Sequence, residues 1–162
     1  MVEQNRRQGG SAVQKRKRAM KENFDRAFDL TVMRFEGGAA YTNDPDDPGG
    51  ETKYGISKRA NPDVDILNLT KAAAKEIYRH RYWNPIGGDE MPYPWDVIVF
   101  DTAVNLGVSR SLGFKAEVSS PAEYHLERLA YYMRLVAKRP VMVKFFRGWA
   151  KRVVQLWQET RT

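Results

Sequence analysis

The sequence predicts a mainly α protein with one small β-hairpin, and three observations carry that expectation. Apolar residues recur at helical spacing through most of the chain after residue 21. Alternation with a period of two is confined to one short stretch, residues 39–57. No strand–helix alternation suggests a parallel sheet, and no internal repeat is visible.

Residues 1–20 lack apolar periodicity and contain Gly9, Gly10 and Ser11, which reads as a basic flexible tail. From Lys21, the spacing of Phe24, Ala27, Phe28, Thr31 and Phe35 predicts an amphipathic helix that ends at Gly37-Gly38. Residues 39–57 mix turn formers with Thr52, Tyr54 and Ile56, so a hairpin or a small irregular sheet is expected next. Thr70 is placed to cap a helix through KAAAKEIYRHRYW, which stops before Asn84-Pro85. Val97, Phe100, Val104 and Val108 form the next helical stripe, with Asp101 and Asn105 stacked on one flank. Ser119–Pro121 opens a helix to about Arg139, and Pro140 separates it from a last one. In that last helix Phe146, Trp149, Ala150, Val153, Val154 and Trp157 make a broad apolar face. Five helices around one hairpin are therefore expected.

A chain of 162 residues with four Trp, eight Tyr and seven Phe can bury a real core, most simply as one domain over residues 21–162. No apolar run approaches the length of a membrane span. The basic start lacks the apolar stretch of a secretory signal, which predicts synthesis in the cytoplasm without a signal peptide. The absence of cysteine excludes disulfides, thiolate metal sites and a cysteine nucleophile. The net charge of +7 is unevenly spread. Residues 1–21 carry +6, residues 22–125 carry −6 and residues 126–162 carry +7. Two basic ends suit an anionic partner, whether a cell-wall polymer, lipid headgroups or nucleic acid, and equally suit solvated surfaces.

The stretch RFEGGAAYTNDPDDPGGETKYGIS holds the densest chemistry. Glu36 falls at the end of a core helix, where the negative pole of the helix and the aromatics Phe35 and Tyr41 favour a protonated carboxyl. Asp44, Asp46 and Asp47 come next, among prolines and glycines that let the chain fold back toward Glu36. Glycosidic cleavage needs one carboxyl to protonate the leaving oxygen and a second group on the opposite sugar face. Spacing permits that pairing; by composition alone, a solvated acidic loop accounts for the run more readily. As a calcium loop the run fails, because Pro48 and Gly55 stand where oxygen ligands are required, and no metal is expected. Asp101 and Asn105 could read sugar hydroxyls or bond to neighbouring backbone. Tyr82 and Trp83 could stack on sugar rings, although core packing is the simpler reading. His80 and His125 have no metal-like spacing, and no phosphate loop or nucleophile elbow appears.

EGG, NDPDDPGGETKYGIS, KRANPDVDILNLT, YRHRYW and FDTAVNLGV, in that order across residues 22–109, resemble glycoside hydrolase family 108. The resemblance implies a lysozyme-like helical fold, with the hairpin at an active-site cleft, and N-acetylmuramidase activity on peptidoglycan glycan strands. It places the family's catalytic glutamate on Glu36, its two aspartates on Asp44 and Asp47, and its threonine on Thr52. Its asparagine-helix motif lands on Asp101, Asn105 and Gly107, which face the cleft in lysozyme-like folds. The implied sites are therefore Glu36, Asp47, Asp44 and Thr52 for catalysis, with Tyr54, Asp101, Asn105 and Trp83 for substrate.

The chain departs from the family's run in two places. Ala39-Ala40 lengthen the link from EGG to Tyr41, and residues 122–162 only partly resemble the peptidoglycan-binding segment found there in the family. The expected protein is a cofactor-free, monomeric hydrolase with no specific nucleic acid partner and an anionic envelope or virion partner for its basic tail. It would reach the wall, in the periplasm or outside the cell, by holin-dependent release, dedicated secretion or delivery in a virion. A lytic transglycosylase, or a non-catalytic phage structural or wall-binding protein on the same scaffold, are the alternatives.

Overall fold

The structure, a computed structural model, describes residues 22–45, 47 and 49–161, so the expected basic tail and Asp46 lie outside the described residues. The first helix, α1, covers residues 22–35 and widens into a π-turn over Asp29–Met33. Its buried face is Phe24, Ala27, Phe28, Thr31 and Val32. Each buried phenylalanine contributes on the order of 1.5–3 kcal/mol by leaving water. Gly37 and Gly38 end the helix as expected, both in the left-handed region, with Gly38 N–H reaching back to the Val32 carbonyl.

The hairpin is minimal. Strands β1 (Thr52–Lys53) and β2 (Ile56–Ser57) pair antiparallel, Thr52 opposite Ser57. Tyr54 and Gly55 form its two-residue turn, both at positive φ, the geometry that suits the twist of a tight hairpin. A further bridge joins Thr42 to Thr52 and ties the acidic loop to the sheet.

Helix α2 (Lys71–Tyr78) starts at Thr70, whose hydroxyl accepts the Ala73 N–H, and runs into a π-turn over Arg79–Trp83. Helix α3 (Trp95–Leu106) is the axis of the molecule: every residue from Asp96 to Ala103 is buried. It packs on α1, on the π-turn after α2 and on the later helices. Phe24, Trp83 and Phe100 meet edge to face at 5.2–5.9 Å, with Tyr78 against Phe28 and Phe100.

One element differs from the sequence reading. The expected stripe ran through Val108, but Gly107 turns the chain at φ +93° and Val108 opens a separate helix, α4 (Val108–Glu117). The described residues therefore hold six helices. Helix α5 (Pro121–Lys138) has the expected start, with the Ser120 hydroxyl accepting the Glu123 N–H. A short turn over Pro140–Met142 leads to α6 (Val143–Thr160). The buried side of α6 is Arg152, Val153, Leu156 and Thr160, whereas Val154, expected on the apolar face, is exposed.

Candidate active site

Three parts of the chain converge on Glu36. Its own N–H still bonds to the Val32 carbonyl, so the residue hangs from the last turn of α1. The hairpin turn lies against it. A Cβ added to Gly55 would come within 2.8 Å of the Glu36 Cβ and 2.7 Å of the Tyr78 hydroxyl, so only glycine permits this approach. Tyr54 fixes the turn, its N–H donating to the Gly38 carbonyl and its carbonyl accepting the Tyr78 hydroxyl, each at 2.8 Å. Burial, and then the Glu36 charge, push the Tyr78 phenol upward, so it remains a neutral donor.

Helix α6 supplies the third part. The Arg152 guanidinium reaches Glu36 Oε1 at 2.5 Å and also grips Asp101 through Nε and Nη2 at 2.9–3.1 Å. Asp101 has no exposed surface, and Arg128 of α5 holds it from the other side at 2.6 Å. Burial opposes the charge on Asp101, but Arg152 and Arg128 outweigh it and hold the carboxyl below its usual range. Arg152 is held above its usual range in the same way, by Asp101 and then Glu36 against the cost of burial. Arg128 goes on to donate to the Tyr132 hydroxyl at 3.0 Å and to Asn105 Oδ1 at 3.4 Å, and Tyr132 also donates to Asn105. A continuous charged network thus runs from Glu36 through α6, α3 and α5 to Asn105.

This network revises several expectations. Asp101 lies behind the site and positions Arg152; buried on every side, it has no surface to present to a sugar. Trp83 is wholly buried too, its indole N–H bound to Asp89 Oδ1 at 2.8 Å and Gly88 packed on its ring. It is a core residue. Asn105 is half-buried, and among the described residues no group accepts from its amide NH2, which leaves that donor for a ligand. The helix end is not the whole surrounding of Glu36, because the Arg152 guanidinium sits on its Oε1. Arg152 spares Glu36 Oε2, and the side chain is 26% exposed.

The remaining candidates sit on the loop and hairpin. Thr52 donates its hydroxyl to the Gly50 carbonyl at 3.1 Å. Asp47 is exposed and accepts the Gly49 N–H on Oδ1 at 2.7 Å, while its own N–H bonds to the Asp44 carbonyl. The Tyr41 hydroxyl donates to Glu51 at 2.8 Å across the base of this loop. Ala39 and Ala40 are exposed and take up the extra length in a turn. The Gly38–Tyr54 bond and the Gly55 contact bypass them, so Glu36 and the hairpin still meet.

Arg128 and Arg152 escaped the sequence reading, although each left a signal. Arg128 stands between Tyr124 and Tyr132 in a buried stripe, and Arg152 beside Val153 on the face that packs inward. A cation on a core face requires a buried anion.

Residues 30–107 match the family model described as Glycosyl hydrolase 108. No curated protein sequence matches the chain. The solved structure of Brucella abortus SagA is similar in fold, with a TM-score of 0.64, and the alignment covers 89% of this chain and 94% of that one. Identity is 23%, so that likeness speaks to the mainly α, lysozyme-like fold. The matched residues hold Glu36, the hairpin and Asp101, and over them the chain is similar to the glycosyl hydrolase 108 family.

Proposed function

We propose that this protein is an N-acetylmuramidase that hydrolyses the β-1,4 bond between N-acetylmuramic acid and N-acetylglucosamine in peptidoglycan. The observation that carries the reading is Glu36, suspended from a helix end between a glycine-faced hairpin turn and Arg152, with Oε2 outside that ion pair. In this reading Glu36 is the general acid. The acid is the protonated carboxyl: Oε1 accepts from Arg152, and the proton on Oε2 passes to the leaving glycosidic oxygen as its bond to the anomeric carbon breaks. Arg152 orients Oε1 and holds the carboxylate left after transfer. Asp47, or failing it Asp44, meets the oxocarbenium-like charge or activates water, and Thr52 of β1 helps to hold that water. Asn105 offers its amide to the sugar. The chain works without a cofactor.

Glu36→Gln tests the assignment. Lysis of purified peptidoglycan should vanish while the folded circular dichroism spectrum and melting temperature stay within a few degrees of the wild type. Retention of most activity would remove Glu36 from the chemistry. Mass spectrometry of the wild-type products decides the neighbouring class. A hydrolase leaves a hydrated reducing end, whereas a lytic transglycosylase leaves a 1,6-anhydro end lighter by one water. Delivery to the wall by holin-dependent release, a dedicated secretion route or a virion fits this activity.

A further inference from the structure

The tip where α5 passes into α6 combines two features that are individually unfavourable in water. From residue 128 to residue 158 the chain contains no Asp or Glu. Lys138, Arg139, Lys144, Arg147 and Lys151 are exposed there, and none of them pairs with a carboxylate among the described residues. Between these cations stand Val141, Val143 and Phe145, exposed to 68%, 61% and 46%. Scattered apolar side chains are ordinary on a surface, but three within five residues, ringed by unpaired cations, form one patch.

We infer that this tip is a docking surface for an anionic phospholipid bilayer. The chemistry selects the partner. A soluble polyanion, such as a nucleic acid or a wall polymer, would satisfy the lysines and arginines but would leave Val141, Val143 and Phe145 in water. A bilayer interface takes both: anionic headgroups neutralise the cations and the acyl boundary accepts short apolar side chains. Phe145 is braced for insertion, since its ring stacks on Trp149, which stacks in turn on the buried Tyr132. Docking is superficial. Among the described residues no helix is long and apolar enough to cross a membrane. The apolar part of the patch ends at Phe145, seven residues before Arg152 and about 10 Å away along the helix axis, so its insertion leaves the Glu36 site uncovered. The surface stands independently of the hydrolase reading.

Vesicle sedimentation with the full chain tests it, because the basic residues 1–21 must be present in both arms. The probes are phosphatidylcholine vesicles with and without phosphatidylglycerol, and the variants are Val141→Ser/Val143→Ser/Phe145→Ser and Lys144→Gln/Arg147→Gln. The wild type should partition onto the anionic vesicles alone, and each variant should bind about tenfold more weakly with an unchanged melting temperature. Activity on purified peptidoglycan should be the same for all three proteins. If the apolar triple variant sediments as the wild type does, the basic tail accounts for binding and the proposal falls. It falls equally if neutral vesicles bind as well, or if the substitutions weaken binding to peptidoglycan and leave vesicle binding unchanged.

Discussion

In the proposed reaction Asp47 carries two duties that a simple deletion of its side chain confounds. One oxygen accepts the Gly49 N–H and closes the turn; the negative charge is what glycosidic chemistry would use. Asp47→Asn keeps the acceptor and removes the charge, so its folding midpoint should match the wild type while peptidoglycan hydrolysis falls about 100-fold or more. Asp47→Ala removes both and should also lower stability, by about 1 kcal/mol. Urea denaturation paired with rate measurements separates the two. Full activity in Asp47→Asn would pass the second role to Asp44. Glu36 was legible in the sequence because a glycine pair after an amphipathic run can end a helix and little else. Its electrostatic surroundings were not, because Arg152 lies 116 residues further along the chain and only the packing of α6 brings it back.

At the scale of elements, α6 does more than cover a core face. Arg152 bridges Glu36 and Asp101, so the last helix reaches a site whose candidate catalytic residues lie within residues 30–107. Arg152→Met should leave the buried Asp101 with Arg128 alone, a loss of at most about 3 kcal/mol in chemical denaturation. Arg152→Lys keeps the charge but lacks the planar fork that reaches both partners. It should recover much of the stability and little of the activity. A lysine variant with wild-type turnover would mean that charge alone is needed. Helix boundaries marked by chemistry were readable: Thr70, Ser120 and Gly37-Gly38 all act where their side chains or φ angles predict. The start of α4 was not, since an unbroken apolar stripe continues across Gly107 and only its backbone angles show the change of direction.

For the molecule as a whole, the seam between α5 and α6 is where acid is expected to act on stability. His125 sits there, 5% exposed, packed on Trp157 and lining an apolar cavity of about 250 Å³ with Leu126, Leu129 and Val153. Neither ring nitrogen has a hydrogen-bond partner among the described residues. Burial, with repulsion from Arg128, pulls the imidazole down from its ordinary 6.5 to about 4. Between those values the unfolded chain binds a proton that the folded chain refuses, so stability is retained above pH 6.5 and is lost as pH falls toward 4. The full window corresponds to about 3 kcal/mol. His125→Leu fills the same apolar space without a titrating group. Between pH 7 and pH 5, the wild type should lose about 2 kcal/mol more than this variant in urea denaturation. Equal losses would place the acid sensitivity elsewhere, and the two buried ion pairs of Asp101 would then be the next groups to vary. A neutral histidine fits this seam between the helices: Arg128 and Arg152 are paired with the buried Asp101, and Arg128 repels a proton on His125. Protonating His125 puts an unpaired charge into that seam, and the two helices that carry Arg128 and Arg152 to the active site are the ones it would push apart.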